Sequence, residues 1–484
     1  MVFASPVFLF VFLPLTLLGY FTVRGKLRNV FLLLASLFFY AWGETAYVLI
    51  MIASICVNYF FGILVEQGMQ KQAGLGAGGR LALAGGVTVN LLLLGYFKYA
   101  NFLVGNLNIG LARLSLPQIA LGPVHLPIGI SFFTFHAISY LVDIYRRQCT
   151  AQRTFVQCAL YIALFPQLIA GPILRYRDMA AQLVSRTVTA ADFSAGVQRF
   201  VFGLAKKVIL ANPLGQVADK VFALPTGDLT AGPAWLGVIC YGLQIYLDFS
   251  AYSDMAIGLG RMFGFRILEN FDYPYISLSI REFWRRWHIS LSTWFRDYLY
   301  IPLGGNRGAT WRTYLNLTTV FLLCGLWHGA SWSFVIWGLL HGVYLVVERV
   351  GLGKVLARRW RPLQHGYSLL LITISWVFFR AADLSQALGY LSAMFGGGAA
   401  GSPYETLIYL NNKIVLTLLA AIAAATPVGQ VIGRRIEAWM FADGRAVVRG
   451  AVSTAYVCLL CALFLLSIAY LAAGTYNPFI YFRF

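Results

Sequence analysis

Apolar residues run in long blocks along nearly the whole chain, separated by short polar or basic connectors. A helix rises 1.5 Å per residue, so about 20 residues are needed to cross a hydrocarbon layer of about 30 Å. By that criterion the blocks at 6–23, 29–43, 46–65, 81–98, 125–144, 154–174, 233–258, 313–347, 366–380, 414–432 and 451–473 are candidate spans. The fold expected is all-α, a polytopic integral membrane protein of about 11 spanning helices. Segments 98–115 and 192–213 are shorter or amphipathic and read as interfacial or re-entrant pieces. The block at 313–347 is too long for one crossing and reads as a span plus a re-entrant part. No internal repeat stands out, so 1–484 reads as a single membrane domain with an outward-facing aromatic tail at 475–484.

Composition agrees, since 59% of residues are apolar and 11% charged, where a soluble domain carries about a quarter charged. The formal charge of +19 would suggest a nucleic-acid partner in a soluble protein; here the preference of basic loops for the cytoplasm explains most of it, and no nucleic acid is expected. Arg24, Lys26 and Arg28 place the first loop inside and the N-terminus outside. Arg146, Arg147 and Arg153, then Arg349, Lys354, Arg358, Arg359 and Arg361, then Arg434, Arg435, Arg445 and Arg449 mark further cytoplasmic segments. Both termini are therefore expected on the outer, periplasmic side. Residues 1–23 lack a basic n-region and a small-residue cleavage site, so they read as a first span, not a removed signal peptide. Glycine-rich connectors fall at 74–79 and 396–401, and the seven scattered cysteines suggest neither a disulfide framework nor a zinc site.

A few polar residues inside apolar blocks are candidates for chemistry, because burying them in a membrane is costly. His328, beside Leu322, Leu323, Leu326 and Trp327, stands out. Gly325 and Gly329 would let another backbone approach it closely. Position alone leaves catalysis, a proton relay and a hydrogen-bonded packing role open. Cys324, one turn earlier, has the spacing of a thiol beside a base, although a buried cysteine is more often an apolar filler. His341 lies thirteen positions beyond His328 and falls on a different face of a straight helix. The basic and aromatic stretch 281–300 reads as an amphipathic helix at the cytoplasmic interface. In it Arg285, Arg286 and Trp287 suit either a phosphate-bearing donor or lipid headgroups, and His288 either reaches a pore or bonds locally. Asp248 and Asp254 need partners; they either orient an imidazole or, the stronger reading, pair with an arginine such as Arg281 or Arg285.

At these motifs the sequence resembles the membrane-bound O-acyltransferase family, and looks most like its bacterial branch that acetylates exported polysaccharide. The resemblance rests on FFYAWGE (38–44), GYFKYANF (95–102), LPIGISFFTFHAISYLVDIYR (126–146) and FPQLIAGPILRYRD (165–178). It continues in YLDFSAYSDMAIGLGRMFGF (246–265), WRRWHISLSTWFRDYLYIPLGG (284–305), GLWHGA (325–330) and the terminal FIYFRF. It implies a helical bundle around a central funnel, His328 as the catalytic residue and His288 as the family's second histidine, with Trp327 and the two aspartates in pore or orienting roles. It further implies an acetyl thioester donor, acetyl-CoA or an acyl carrier, with no tightly bound cofactor and no metal. The expected location is the bacterial inner membrane, in contact with lipid and with extracytoplasmic polysaccharide acetyltransferases. The expected product is O-acetylated polysaccharide, with alginate the first candidate polymer. Acetylation of cellulose or another exopolysaccharide and D-alanyl transfer to teichoic acid are alternatives; a proton-coupled transporter using His328 is the alternative from another class. Related envelope systems carry a similar aromatic tail, which makes Tyr481 a candidate acyl carrier, whereas composition alone favours an aromatic membrane anchor.

Overall fold

The structure is a computed structural model that describes residues 1–70, 77–398, 405–441, 446–474 and 476–478. Tyr481 with the rest of 479–484, Arg445, and residues 74–76 and 399–401 of the glycine connectors lie outside the described residues. Among the described residues all regular structure is helical, as expected where lipid offers backbone groups no hydrogen-bond partners. The chain separates into two compact units, Met1–Gly196 with Ala256–Leu268, and Val197–Met255 with Glu269–Phe484.

In chain order the helices are α1 (Leu13–Thr22), α2 (Leu27–Ala41), α3 (Val48–Gln70), α4 (Ala77–Leu94), α5 (Ala100–Arg113), α6 (Ile130–Tyr145), α7 (Phe155–Ala163) and α8 (Phe165–Leu168). They continue with α9 (Tyr176–Val184), α10 (Ala190–Ala205), α11 (Asn212–Phe222), α12 (Ala231–Met262), α13 (Ile280–Arg286), α14 (Ile289–Phe295), α15 (Thr310–His328) and α16 (Trp332–Val347). The last are α17 (Gly353–Leu356), α18 (Arg361–Arg380), α19 (Leu384–Met394), α20 (Asn412–Ala424), α21 (Val428–Phe441) and α22 (Ala446–Ala472).

Among the described residues four helices are long and apolar enough to cross a membrane, or five if the pair Asn412–Ala424 and Val428–Ile436, bent by 68°, is one broken span. Several other expected spans are present as shorter apolar helices, such as Leu27–Ala41 and Ile130–Tyr145. Segment 98–115 differs from expectation: α4 runs through a π-helical turn at Gly95–Tyr99 into α5, giving one helix of 37 residues. The π turn absorbs an extra residue without breaking the helix and turns Lys98 inward, where its Nζ donates to Ser131 Oγ at 3.2 Å. Segment 192–213 also differs: α10 continues through a π-helical turn at Lys206–Ala211 directly into α11 and buries Lys207. An interfacial helix would have left that lysine in water.

In the first unit, α3 and α4 are tied by reciprocal amide bonds between buried Asn58 and Asn90, at 3.1 and 2.7 Å, a form of polar glue between apolar helices. Its two ends differ in charge. At one end Arg147 donates to the Met69 carbonyl at 3.3 Å, Arg153 pairs with Glu66 at 3.0 Å, and Arg186 donates to Asn29 at 2.8 Å. The opposite end carries Glu44, which accepts from the Ile128 amide and pairs with His125, both at 3.2 Å.

Candidate functional site

The candidate site is a helical hairpin in the second unit. The block 313–347 is two helices, α15 and α16, joined by the turn Gly329-Ala330-Ser331. Glycines make the crossing possible: a Cβ at Gly325 would lie 2.3 Å from the Phe334 carbonyl oxygen, and one at Gly338 2.3 Å from that of Phe321. At Gly329 a Cβ would lie 2.2 Å from ring carbons of Phe334. The two glycines singled out from sequence thus admit a neighbouring backbone and a neighbouring ring.

His328 is the last residue of α15 and is 6% exposed. Its ring stands edge-on to Trp327, Trp337 and Phe379, with centroids 4.9, 5.0 and 5.1 Å away. The straight-helix premise for His341 fails because the chain reverses at Gly329–Ser331, and on α16 the Trp337 ring contacts both imidazoles, 5.0 Å from His328 and 4.9 Å from His341 one turn further on. Trp284 Nε1 donates to His341 Nδ1 at 3.2 Å, which leaves the proton on Nε2, 3.1 Å from Ser375 Oγ. With both nitrogens engaged, His341 holds Trp284 in place.

The stretch 281–300 is not one amphipathic helix on a surface. It breaks into α13 and α14 at Trp287 and His288, and Phe283, Trp284, Trp287, His288 and Leu291 are all buried. The N-cap Ser279 starts α13: its Oγ accepts from the Glu282 amide at 3.1 Å, and Glu282 reaches back one residue further to accept from the Leu278 amide at 2.9 Å. Buried Glu348 accepts from the amides of Ile280 and Arg281 at 2.7 and 3.0 Å, anchoring the same helix start with negative charge. His288 has left-handed backbone angles, φ 43° and ψ 53°, uncommon for a side chain of its size and more frequent at functional positions.

Asn270 fixes the protonation of His288. Its Oδ1 accepts from the Ser290 amide at 3.1 Å and from Ser290 Oγ at 2.8 Å, and lies 3.2 Å from His288 Nδ1. A backbone amide can only donate, so that atom is the oxygen and Nδ1 carries the proton. Burial pushes the imidazole down from 6.5 to about 3, so it stays neutral. Its Nε2 keeps a lone pair with no hydrogen-bond partner among the described residues. The ring lies 6.2 Å from that of Trp327, which joins it to the His328 cluster.

Two cavities flank the hairpin. One, of about 330 Å³, is lined by Gly329, Ala330, Ser331 and Phe334 with Tyr241, Gln244, Phe379, Arg380 and Pro478. The other, of about 230 Å³, is lined by Arg281, Trp284, Arg285, Arg296, Phe321 and Cys324 among others. Trp337 lies between them, its ring 5.0 Å from Phe379 of the first wall and 5.9 Å from Trp284 of the second. Of the residues expected to hold a donor, Arg285 faces the second cavity and makes no ion pair among the described residues. Arg286 is committed to Asp272 and Glu282, at 2.9 and 3.0 Å. Trp287 is 3% exposed between Phe283, Phe271 and Trp376.

Both aspartates sit in ion pairs, Asp254 with an arginine, but among the described residues the partners are not Arg281 or Arg285. Asp248 is 2.7 Å from Lys207, both side chains being at most 4% exposed, and Asp254 pairs with Arg199 and Lys206 at 2.9 and 2.5 Å. The nearest basic side chains in space come from the α10–α11 region, which reads from sequence as interfacial. The residues not foreseen are Lys207, Asn270, Trp337 and Arg380. Lys207 carried a usable signal, a lysine followed by an apolar run, whereas Asn270 sits in a polar loop with none. Cys458 and Cys461, spaced as a Cys-x-x-Cys pair, are exposed on α22. Among the described residues no group of three or more His, Cys, Asp or Glu is placed to hold a metal.

Comparison with known proteins bears directly on this site. The model of the membrane-bound O-acyltransferase family matches residues 129–362, which contain both His288 and His328. A protein of Azotobacter vinelandii named Probable alginate O-acetylase AlgI is 43% identical over 100% of both chains. Its namesake in Pseudomonas aeruginosa is 48% identical over 82% of this chain and 75% of its own. The Peptidoglycan O-acetyltransferase of Helicobacter pylori is 38% identical over 82% of this chain and 80% of its own.

Proposed function

The chain belongs to the membrane-bound O-acyltransferase family, and from that membership we propose that this O-acetyltransferase moves acetyl groups from a cytoplasmic thioester across the inner membrane onto an exported polysaccharide, alginate in the first instance. The observation that carries this reading is the pair of cavities on either side of the His328 hairpin, with the Trp337 ring in contact with Phe379 of one wall and Trp284 of the other. Arg281, Arg285 and Arg296 give the second cavity the positive charge that the phosphates of acetyl-CoA would need. Trp284, Phe295, Leu317, Val320 and Phe321 line the same cavity with apolar and aromatic side chains, which suit the acyl end of the donor and disfavour water there.

In this reading His328 acts as general base. It takes the proton from an attacking hydroxyl as the oxygen bonds to the thioester carbonyl; the carbon–sulfur bond breaks, and the proton passes to the departing thiolate. His288, neutral and with a lone pair on Nε2, is a hydrogen-bond acceptor beside the same cluster. The hydroxyl comes from Tyr481, which carries the acetyl group to an extracytoplasmic acetyltransferase acting on the polymer. Tyr481 is three residues beyond Pro478, a wall residue of the first cavity, and three residues of chain reach about 11 Å. The names borne by the Azotobacter and Pseudomonas relatives favour alginate.

The decisive experiment follows labelled acetyl-CoA through the purified protein and measures the acetyl content of exported polymer. His328→Ala should lower transfer by about 100-fold or more while the protein stays folded. Transfer persisting in that variant, or solute flux across vesicles without acyl transfer, would overturn the reading in favour of another base or a transporter. Consumption of a D-alanyl carrier instead of acetyl-CoA would change the donor.

A further inference from the structure

The described C-terminal residues beyond α22 are bonded one after another to the second unit. Tyr476 donates its hydroxyl proton to Asp219 Oδ2, Asn477 Oδ1 accepts from Asn212 Nδ2 at 3.1 Å, and the Pro478 carbonyl accepts from Lys207 Nζ at 2.6 Å. Each of these anchors is held in turn. Lys207 is locked to Asp248 at 2.7 Å, and Asp219 is paired with Arg380 at 2.7 Å. The fit is close: a Cβ at Gly215, on α11, would lie 3.3 Å from the Tyr476 ring. Pro478 and Arg380 both line the cavity beside Gly329–Ser331.

A lysine–aspartate pair that is almost wholly buried is a poor source of net stability, because desolvation of the two charges offsets much of their attraction. Here the pair leaves an ammonium proton for a backbone carbonyl, and a carbonyl bond of that kind holds a chain segment whatever side chain it bears. We propose that Lys207, Asp248, Asn212 and Asp219 form a dock for residues 476–478 and are positioning residues for acyl transfer. They set the C-terminal segment at the wall of the cavity next to His328. The dock rests on the carrier reading of Tyr481 for its purpose, but on its own hydrogen bonds for its existence.

The test uses the full chain and two variants. Lys207→Met combined with Asp248→Leu removes both charges of the buried pair, while Asn212→Ala breaks the Asn477 bond and the 3.4 Å bond from Lys207 Nζ to Asn212 Oδ1 but leaves the Lys207–Asp248 pair in place. Amide hydrogen exchange should be faster by about tenfold or more in the peptide covering 470–484 of each variant, and unchanged in α12 and α15. The acetyl content of exported polymer should fall by about tenfold or more, because small misplacements of a reacting group are that costly. Binding of acetyl-CoA to the purified variants should match that of the parent protein. Wild-type protection of the C-terminal peptide would overturn the proposal, as would full acetylation with that peptide released, or a loss of protection spread through α12 and α15. Tyr481→Phe separates the two ideas. Normal acetylation in Tyr481→Phe together with its loss in the dock variants removes the carrier and leaves the dock standing.

Discussion

At the scale of single residues, the chemistry depends on which nitrogen holds a proton. Asn270 settles this for His288 through one backbone amide of known direction. Since burial lowers this imidazole from 6.5 to about 3, the unfolded chain binds a proton there between those values and the folded chain does not. His288 therefore contributes stability that is complete above pH 6.5 and lost as the pH falls toward 3. The slope approaches about 1.4 kcal/mol per pH unit for one such group. Thermal unfolding in detergent across that range should show a shallower acid dependence in His288→Gln than in the parent, and equal slopes would refute a neutral buried imidazole. The burial of His328 was legible from sequence because cost in a membrane is a property of the residue and its flanks. Asn270 was not, because its role is defined by a histidine eighteen positions away and an amide twenty away.

At the scale of elements, the site is made by breaks. One follows His328, another separates α13 from α14 at Trp287 and His288, and π-helical turns interrupt longer helices at Gly95–Tyr99 and Lys206–Ala211. None of these breaks contains proline, so hydropathy and periodicity run through them unchanged. That is why 281–300 reads as one amphipathic helix and 313–347 as one overlong block. The glycines were more informative. Gly325 meets the backbone of α16 so closely that Gly325→Ala must push the helices apart. The cost should be about 1–3 kcal/mol, seen as a lower melting temperature, and transfer should fall because His328 lies one turn further along the displaced helix. Retained stability and full transfer in Gly325→Ala would show that the hairpin yields without consequence.

At the scale of the whole molecule, the helical class was written in the hydropathy and the family in its ordered motifs, while the number of crossings was not. Helices such as Leu27–Ala41 are apolar but fall short of the usual span. The Trp337 ring would be part of a seal if the two cavities open toward opposite faces. An ion gradient across the membrane would then be held at this point by the packed rings of Trp284, Trp337 and Phe379. Trp337→Ala should open a conductive path, measurable as faster collapse of a pH gradient in proteoliposomes. A variant as tight as the parent would place the seal elsewhere. If acetyl groups cross there, as proposed, the enzyme is constrained by leakage as much as by rate, and in a respiring cell the cost of a smaller side chain would appear first as lost proton-motive force.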